Sequence, residues 1–208
     1  MYGDIADEDL MPLVVAGNHS AFSEIVERHT DRFYSLAFRS LQNQSDAEDV
    51  VQAAFVKLWQ RPHAWDGSKS KFTTWFYRVV LNACHDHRRK FKHKVEVDDE
   101  ELAVLLQATD SEQKNLEQKQ SEKWRQDCLE YAIMQLSSSQ RDALNLVVYS
   151  GLPQKHAAEI MGISIKAIES HLHRAKQSLR EQISKLSHEA KLYGMRQSQM
   201  MVEGQIKK

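Results

Sequence analysis

The densest run of side chains able to do chemistry is Cys84-His85-Asp86-His87, with His93 a few residues on. Thiolates, imidazoles and carboxylates ligate metals, or assist phosphate-ester hydrolysis, when they converge on one point. Here they are consecutive in a stretch of helical pattern, where neighbours point about 100° apart. They cannot close on one ion. No Ser/His/Asp set, phosphate-cradling glycine loop or four-ligand zinc spacing is visible elsewhere. The sequence therefore implies no catalytic residue, no metal and no cofactor.

What remains is the chemistry of recognition. In "MGISIKAIESHLHRAKQSLR" (161–180), Ile165, Ile168, Leu172, Ala175 and Leu179 recur at spacings of three and four, an inward stripe. Lys166, Ser170 and Arg174 lie opposite it, Glu169 and His173 on one shoulder, and His171 on the other. Pro153–Met161 forms a preceding helix, and "GIS" supplies a short turn with Ser164 as cap. Two helices around a short Gly-containing turn make a helix-turn-helix, whose second helix enters the major groove. An ordinary corner between two packed helices shows the same pattern. Glu169 can accept a hydrogen bond from cytosine N4 or lean on His173 four residues along. Lys166 and Arg174 suit phosphate.

A second recognition segment is "FTTWFYRVVLNACHDHRRKFKHK" (72–94), with aromatics at its start and Arg88, Arg89, Lys90, Lys92 and Lys94 at its end. Trp75, Phe76 and Tyr77 cannot all be buried on one helix face, which leaves an aromatic free to stack on an unpaired base. A solvated basic helix end that merely suits the macrodipole is the alternative.

These segments need elements to carry them. With seven Gly and three Pro in 208 residues, the composition favours helices over a turn-rich β fold. A first helix spans Asp7–Ala16 and stops at Gly17. A long second one, capped by Ser20, carries Phe22, Ile25, Val26, Phe33, Leu36, Ala37 and Leu41. A third opens with Ser45 and Glu48 in capping-box spacing and buries Ala47, Val50, Val51, Ala54 and Leu58, with Phe55 and Trp59 on one edge. Pro62 and Gly67 bracket a loop. The fourth helix, Phe72–Lys92, turns Phe72, Trp75, Phe76, Val79, Val80 and Ala83 inward. Helical pattern resumes near Leu116, and "SSSQRDALNLVVYSG" is a further helix stopped at Gly151.

The net charge of −1 conceals banding. Residues 1–68 hold eleven acids against five Lys/Arg, residues 69–94 eight Lys/Arg against one acid, and residues 95–112 seven acids with no Lys or Arg. Basic bands can meet phosphate, and acidic bands avoid it or meet something basic. The polar N-terminus is no secretory signal, no apolar run approaches a membrane span, and two cysteines make no disulfide framework. A cytoplasmic setting without membrane insertion is expected. The fold class is all-α: two small helical bundles joined by a flexible acidic linker, the second containing the helix-turn-helix. The expected boundaries are 1–94, linker 95–112, 113–186, and a polar tail 187–208.

Three stretches, "AFSEIVERHTDRFYSLAFRSL…SDAEDVVQAAFVKLWQR", "WDGSKSKFTTWFYRVVLNACHDHRRK" and "LSSSQRDALNLVVYSGLPQKHAAEIMGISIKAIESHLHRAKQSLRE", together resemble the extracytoplasmic-function (ECF) group of bacterial RNA polymerase sigma factors. The resemblance runs from about residue 7 to 186. It implies that the first bundle (region 2) grips the β′ clamp helices of core RNA polymerase through Asp46, Glu48, Asp49, Gln52, Phe55 and Trp59. Ala53 stands where the family often carries Glu. The loop His63–Ser70, with Trp65, Asp66, Gly67, Ser68, Lys69 and Ser70, corresponds to the one that captures a flipped −10 base. Trp75, Arg78 and Asn82 of the following helix join it at promoter DNA. The second bundle (region 4) would read −35 through Lys166, Glu169, Ser170, His171, His173 and Arg174, and touch the β flap. Glu169 and His171 stand where many members carry Arg or Lys, so the resemblance does not carry over the usual −35 sequence. The resemblance also implies an anti-sigma partner, with the tail beyond residue 187 as a competing means of control. Near-neutral charge fits a chain for which polymerase supplies much of the grip on DNA. A stand-alone helix-turn-helix regulator would need a sensing or dimerisation domain where residues 45–92 lie.

Overall fold

The computed structural model describes residues 2–92, 124 and 126–206. His93, Lys94, the acidic segment 95–112 and the expected helix near Leu116 lie outside the described residues. Among those described, all regular structure is helical. Contacts divide the chain into two units, residues 1–94 with 138–172, and residues 95–137 with 173–208. The first holds most of the candidate residues.

Helix α1, Asp7–Val15, opens with three acids that suit its positive N-terminal pole, and Gly17 at φ 83° ends it. Helix α2, His19–Leu41, is capped by Asn18, whose Oδ1 accepts from the Ala21 N–H at 3.0 Å. Ser20 is therefore inside the helix and not its cap. Helix α3, Gln44–Gln60, corrects the sequence reading in the same way. Asn43 accepts from the Asp46 N–H at 3.0 Å, so the Ser45/Glu48 capping box does not form, and Glu48 bonds Gln44 instead. In both cases an Asn two residues upstream reaches the orphan N–H groups first.

A single 3₁₀ turn, Pro62–Ala64, leads to the loop before α4, Phe72–Lys92. The first N–H of α4 is satisfied from far away: Phe72 N donates to Glu8 Oε1 at 3.2 Å. Aromatics of α2, α3 and α4 form the centre of the core. Phe33 meets Phe76 edge-on at 4.8 Å and Tyr77 at 4.9 Å, and Phe76 also meets Phe55 at 4.9 Å and Phe72 at 5.5 Å. Truncating any of the buried phenylalanines to Ala would cost about 3–5 kcal/mol, from lost transfer energy and the cavity left behind.

The same unit contains α6 (Ser138–Leu144), α7 (Gln154–Met161) and the start of α8 (Ile165–Ile206); residues 126–134, in the other unit, form α5. The expected single helix after Ser137 changes register, with a π turn over Asn145–Tyr149 following α6. Its widened ring is closed by the Ser150 N–H donating to the Asn145 carbonyl at 2.8 Å. Leu146, Ala157, Ala158, Ile160, Ile168 and Leu172 continue the core begun by α1–α4. Two members of the expected inward stripe depart from it. Ile165 is 44% exposed and Leu179 only half-buried, since each lies beyond the neighbours that cover Ile168 and Leu172.

Candidate nucleic-acid and partner interfaces

The loop between α3 and α4 is built by its own side chains. The Trp65 indole N–H donates to the Ser70 carbonyl at 3.1 Å, tying the two ends. Asp66 Oδ1 accepts from the Ser68 N–H at 3.0 Å and its hydroxyl at 2.7 Å, and Lys69 Nζ lies 2.9 Å from Asp66 Oδ2. The Ser68 hydroxyl foremost, then Lys69, holds the Asp66 carboxyl down at about 2. Gly67 sits against Trp65, and a Cβ there would fall 2.9 Å from the ring. The loop thus brings Trp65 to Ser70 into one preformed turn.

Helix α4 continues from it. Phe76 and Tyr77 are buried and Trp75 is half-buried. Tyr77 takes the inward place that apolar period gives to Trp75, because Phe33 of α2 packs on Tyr77. Trp75 is the aromatic left over for stacking. Tyr77 is pushed up from its ordinary pKa by burial. Trp75 and Val79 line a hollow of about 380 Å³ with Leu58, Ala64, Lys57 and Arg61. Lys57 and Arg61, one turn apart at the end of α3, place two cations beside that apolar wall. The sequence reading passed over them, although their i, i+4 spacing was visible. Asn82 is exposed one turn beyond Arg78. Arg78 is engaged by backbone: its Nε donates to the Ile160 carbonyl at 3.1 Å and its Nη2 to that of Glu159.

The histidines of α4 point to different partners. His85 Nε2 lies 2.6 Å from Asp142 Oδ2, and His87 Nε2 lies 3.3 Å from Asp46 Oδ1. Cys84 is buried, and burial pushes its thiol up to about 12. Asp46, placed by resemblance at the polymerase surface, therefore has an intramolecular partner.

Between α2 and α3 runs an open groove of about 460 Å³. Glu48, Gln52, Phe55 and Trp59 line it from α3, and Phe22, Val26 and Tyr34 from α2. Trp59 is steadied by His19 and Phe22, with ring centroids at 4.5 and 5.0 Å. Val56, on the same wall, is 46% exposed. Four of the six residues expected at a protein interface thus share one apolar groove with a polar rim, the anatomy of a docking site. Asp49 is exposed and does not line it.

On α8, Lys166, Glu169, Ser170, His173 and Arg174 are exposed, and His171 is half-buried. Ser164 caps the helix, its Oγ accepting from the Ala167 N–H at 3.2 Å. Pro153 precedes α7 without any side-chain cap. Among the described residues no group of His, Cys, Asp and Glu could hold a metal ion, and no helix is long and apolar enough to cross a membrane.

Residues that sequence reasoning missed lie where α6 meets α2 and α4. Ser40, Arg141, Asp142 and Asn145 are all buried. Burial, and secondarily Arg88, brings the Arg141 guanidinium down to about 10.

Comparison with known proteins agrees with this geometry. Residues 25–94 match the Sigma-70 region 2 family and residues 126–179 the Sigma-70 region 4 family. The chain is 30% identical over 158 residues to the ECF RNA polymerase sigma factor SigM of Bacillus subtilis (strain 168), covering 76% of this chain and 91% of SigM. Its fold is similar to that of CnrH in complex with the cytosolic domain of CnrY, with a TM-score of 0.62 and 23% identity, over 86% of this chain and 97% of that one. It is also similar to that of the sigma factor RpoE in complex with the anti-sigma factor NepR from Bartonella quintana (TM-score 0.55, 20% identity, 78% and 96% covered). The two family matches and the 30% identity to SigM show the family: the chain belongs to the ECF RNA polymerase sigma factors.

Proposed function

We propose a division of labour among these surfaces for a chain that, as a sigma factor, directs core RNA polymerase to promoters. The α2–α3 groove takes a helical element of the core enzyme, the β′ clamp helices, with Glu48, Gln52, Phe55 and Trp59 in contact and Asp46 and Asp49 at the edge. The loop Trp65–Ser70, with Trp75, Arg78 and Asn82, takes the −10 element. The exposed side of α8, through Lys166, Glu169, Ser170, His171, His173 and Arg174, takes −35, and region 4 touches the β flap. In this reading residues 1–94 are region 2, residues 95–112 the linker, residues 113–186 region 4 and residues 187–208 a tail. The chain adds specificity and no catalysis of its own, and it works in the cytoplasm.

The observation that carries this reading is the groove: an apolar trough whose α3 wall includes Glu48, Gln52, Phe55 and Trp59, four of the residues that the resemblance assigns to polymerase. Control by an anti-sigma partner is part of the proposal, supported by the likeness to a sigma factor held by one. Run-off transcription with purified core polymerase tests the whole. Promoter-specific transcripts should appear only when the chain is added, and their absence with every promoter library tried would reject it.

A further inference from the structure

Helix α4 begins with little to cap itself. Lys71, the residue before it, has no acceptor in its side chain, and the first turn carries no acid to accept from its N–H groups. The N–H of Phe72 is one of the donors that a helix start leaves orphaned. Glu8 Oε1 takes it at 3.2 Å, from 64 positions earlier in the chain. Glu8 itself sits in the first turn of α1.

Helix α1 is in turn fixed to α2. Asp7 Oδ2 lies 2.7 Å from His29 Nε2, and Asp7 Oδ1 lies 3.1 Å from Arg28 Nη1. Arg28 Nη1 also donates to the Ile5 carbonyl at 2.6 Å, and Leu10, Met11 and Val14 of α1 are buried. Two successive acids therefore reach two different helices, Asp7 to α2 and Glu8 to α4.

The same helix meets both ends of the loop Trp65–Ser70. It packs against the 3₁₀ turn Pro62–Ala64 at the entry, and Glu8 holds Phe72 just past the exit. Phe72 carries the constraint inward. Its ring lies 5.7 Å from that of His29 and meets Trp65 edge-on at 6.2 Å, and Trp65 ties the loop through Ser70. A recognition turn is selective only while its side chains stay within about 0.5 Å of the productive geometry, which takes support from beneath.

We propose that Glu8 is a positioning residue of the −10 site: through the Phe72 N–H it sets where the loop Trp65–Ser70 sits on α4, without touching DNA. This rests on the reading of that loop as the one that takes the −10 element. Helix α1 then contributes to promoter selectivity as well as to the core.

The test uses full-length variants with core polymerase, in run-off transcription from single-base −10 and −35 promoter variants. Glu8 is exposed, so its replacement leaves the core intact. Glu8→Ala should shrink the ratio between best and worst −10 base about fivefold, the factor that one lost hydrogen bond is worth. Its −35 ratios should match wild type. Glu8→Gln keeps the Oε1 acceptor and should hold the −10 ratio within about twofold of wild type. Asp9→Ala removes another acid from the first turn of α1 but leaves the Phe72 acceptor in place, and should keep the wild-type ratio. Amide exchange reads the bond itself: the Phe72 amide should exchange about fivefold faster in Glu8→Ala, with the Phe76 amide unchanged.

A wild-type −10 ratio in Glu8→Ala overturns the proposal. So does an equal loss in Glu8→Gln, in Asp9→Ala or in the −35 ratios, which would trace the effect to charge or to stability at large. Gly67→Ala in the same series separates this failure from failure of the underlying reading. Where Gly67→Ala flattens the −10 ratio and Glu8→Ala does not, the loop reads −10 and only the role of Glu8 falls. Where neither does, the loop is not the −10 reader and both fall.

Discussion

The indole N–H of Trp65 donates to the carbonyl of Ser70 at 3.1 Å, and Gly67, at the tip between them, leaves no room for a Cβ against the same ring. Loop shape and Trp65 position are therefore one variable. Trp65→Phe keeps a ring but removes the donor, and should lower stability by about 1 kcal/mol. Gly67→Ala must displace the ring and should flatten base preference at −10. Thermal melts and run-off transcription from single-base −10 variants check both, and a wild-type preference profile in Gly67→Ala would show that loop shape does not set specificity.

The Asp66 carboxyl, held at about 2 against an ordinary 3.8, makes the turn resistant to acid. A depressed carboxylate stabilises above its unfolded value and loses that contribution as pH falls through the folded one. The Ser68 amide resonance should therefore stay constant from pH 7 to about pH 4, where an unperturbed aspartate is already near half-protonated. Movement of that resonance between pH 5 and 4 would show an ordinary carboxylate.

In the α2–α3 groove, Val56 is exposed, so a charge there leaves the fold intact. Val56→Asp should weaken binding to purified core polymerase at least about tenfold, since an unpaired carboxylate would be buried on docking. Asp49→Lys with Gln52→Ala should weaken it by reversing a charge beside the groove and removing an amide from its wall. Affinity equal to wild type in both would move the polymerase contact elsewhere.

Glu169, exposed on the second turn of α8, is expected to read a cytosine at −35. Glu169→Gln and Glu169→Ala should cost about 1–3 kcal/mol at one promoter position and little elsewhere. Loss of Lys166 should instead weaken all sequences alike and reduce the salt dependence. Single-base −35 variants transcribed by each mutant separate these behaviours.

Asn145 is fully buried, with neither side-chain oxygen nor nitrogen bonded. Asn145→Leu, close in volume, removes two unsatisfied groups and should raise the melting temperature, by about 1–3 kcal/mol of stability. A lower melting temperature would mean that the amide has a partner within the native ensemble.

Much of this architecture was legible in the sequence because apolar period is a strong signal. The limits of α4 and the buried stripe of α3 follow from it directly. Caps were harder: Asn18 and Ser20, like Asn43 and Ser45, compete within one turn, and only backbone geometry shows which oxygen reaches an N–H. Period also assigns polar residues to the surface, so Arg141, Asp142 and Asn145 could not be read as buried. Their burial comes from α2 and α4, about a hundred residues away in Arg141's bond to Ser40. For the same reason apolar period turned Trp75 inward in place of Tyr77, since it could not show that Phe33 of α2 would claim Phe76 and Tyr77 and leave Trp75.

The bond between Arg78 and the end of α7 has a main-chain acceptor. Any residue at positions 159 and 160 presents the same carbonyls, so drift there neither breaks the contact nor demands a matching change at Arg78. Statistical coupling between columns of related sequences would consequently be blind to this contact. The His85–Asp142 pair, with a side chain on each side, is the contact that leaves a covariation trace.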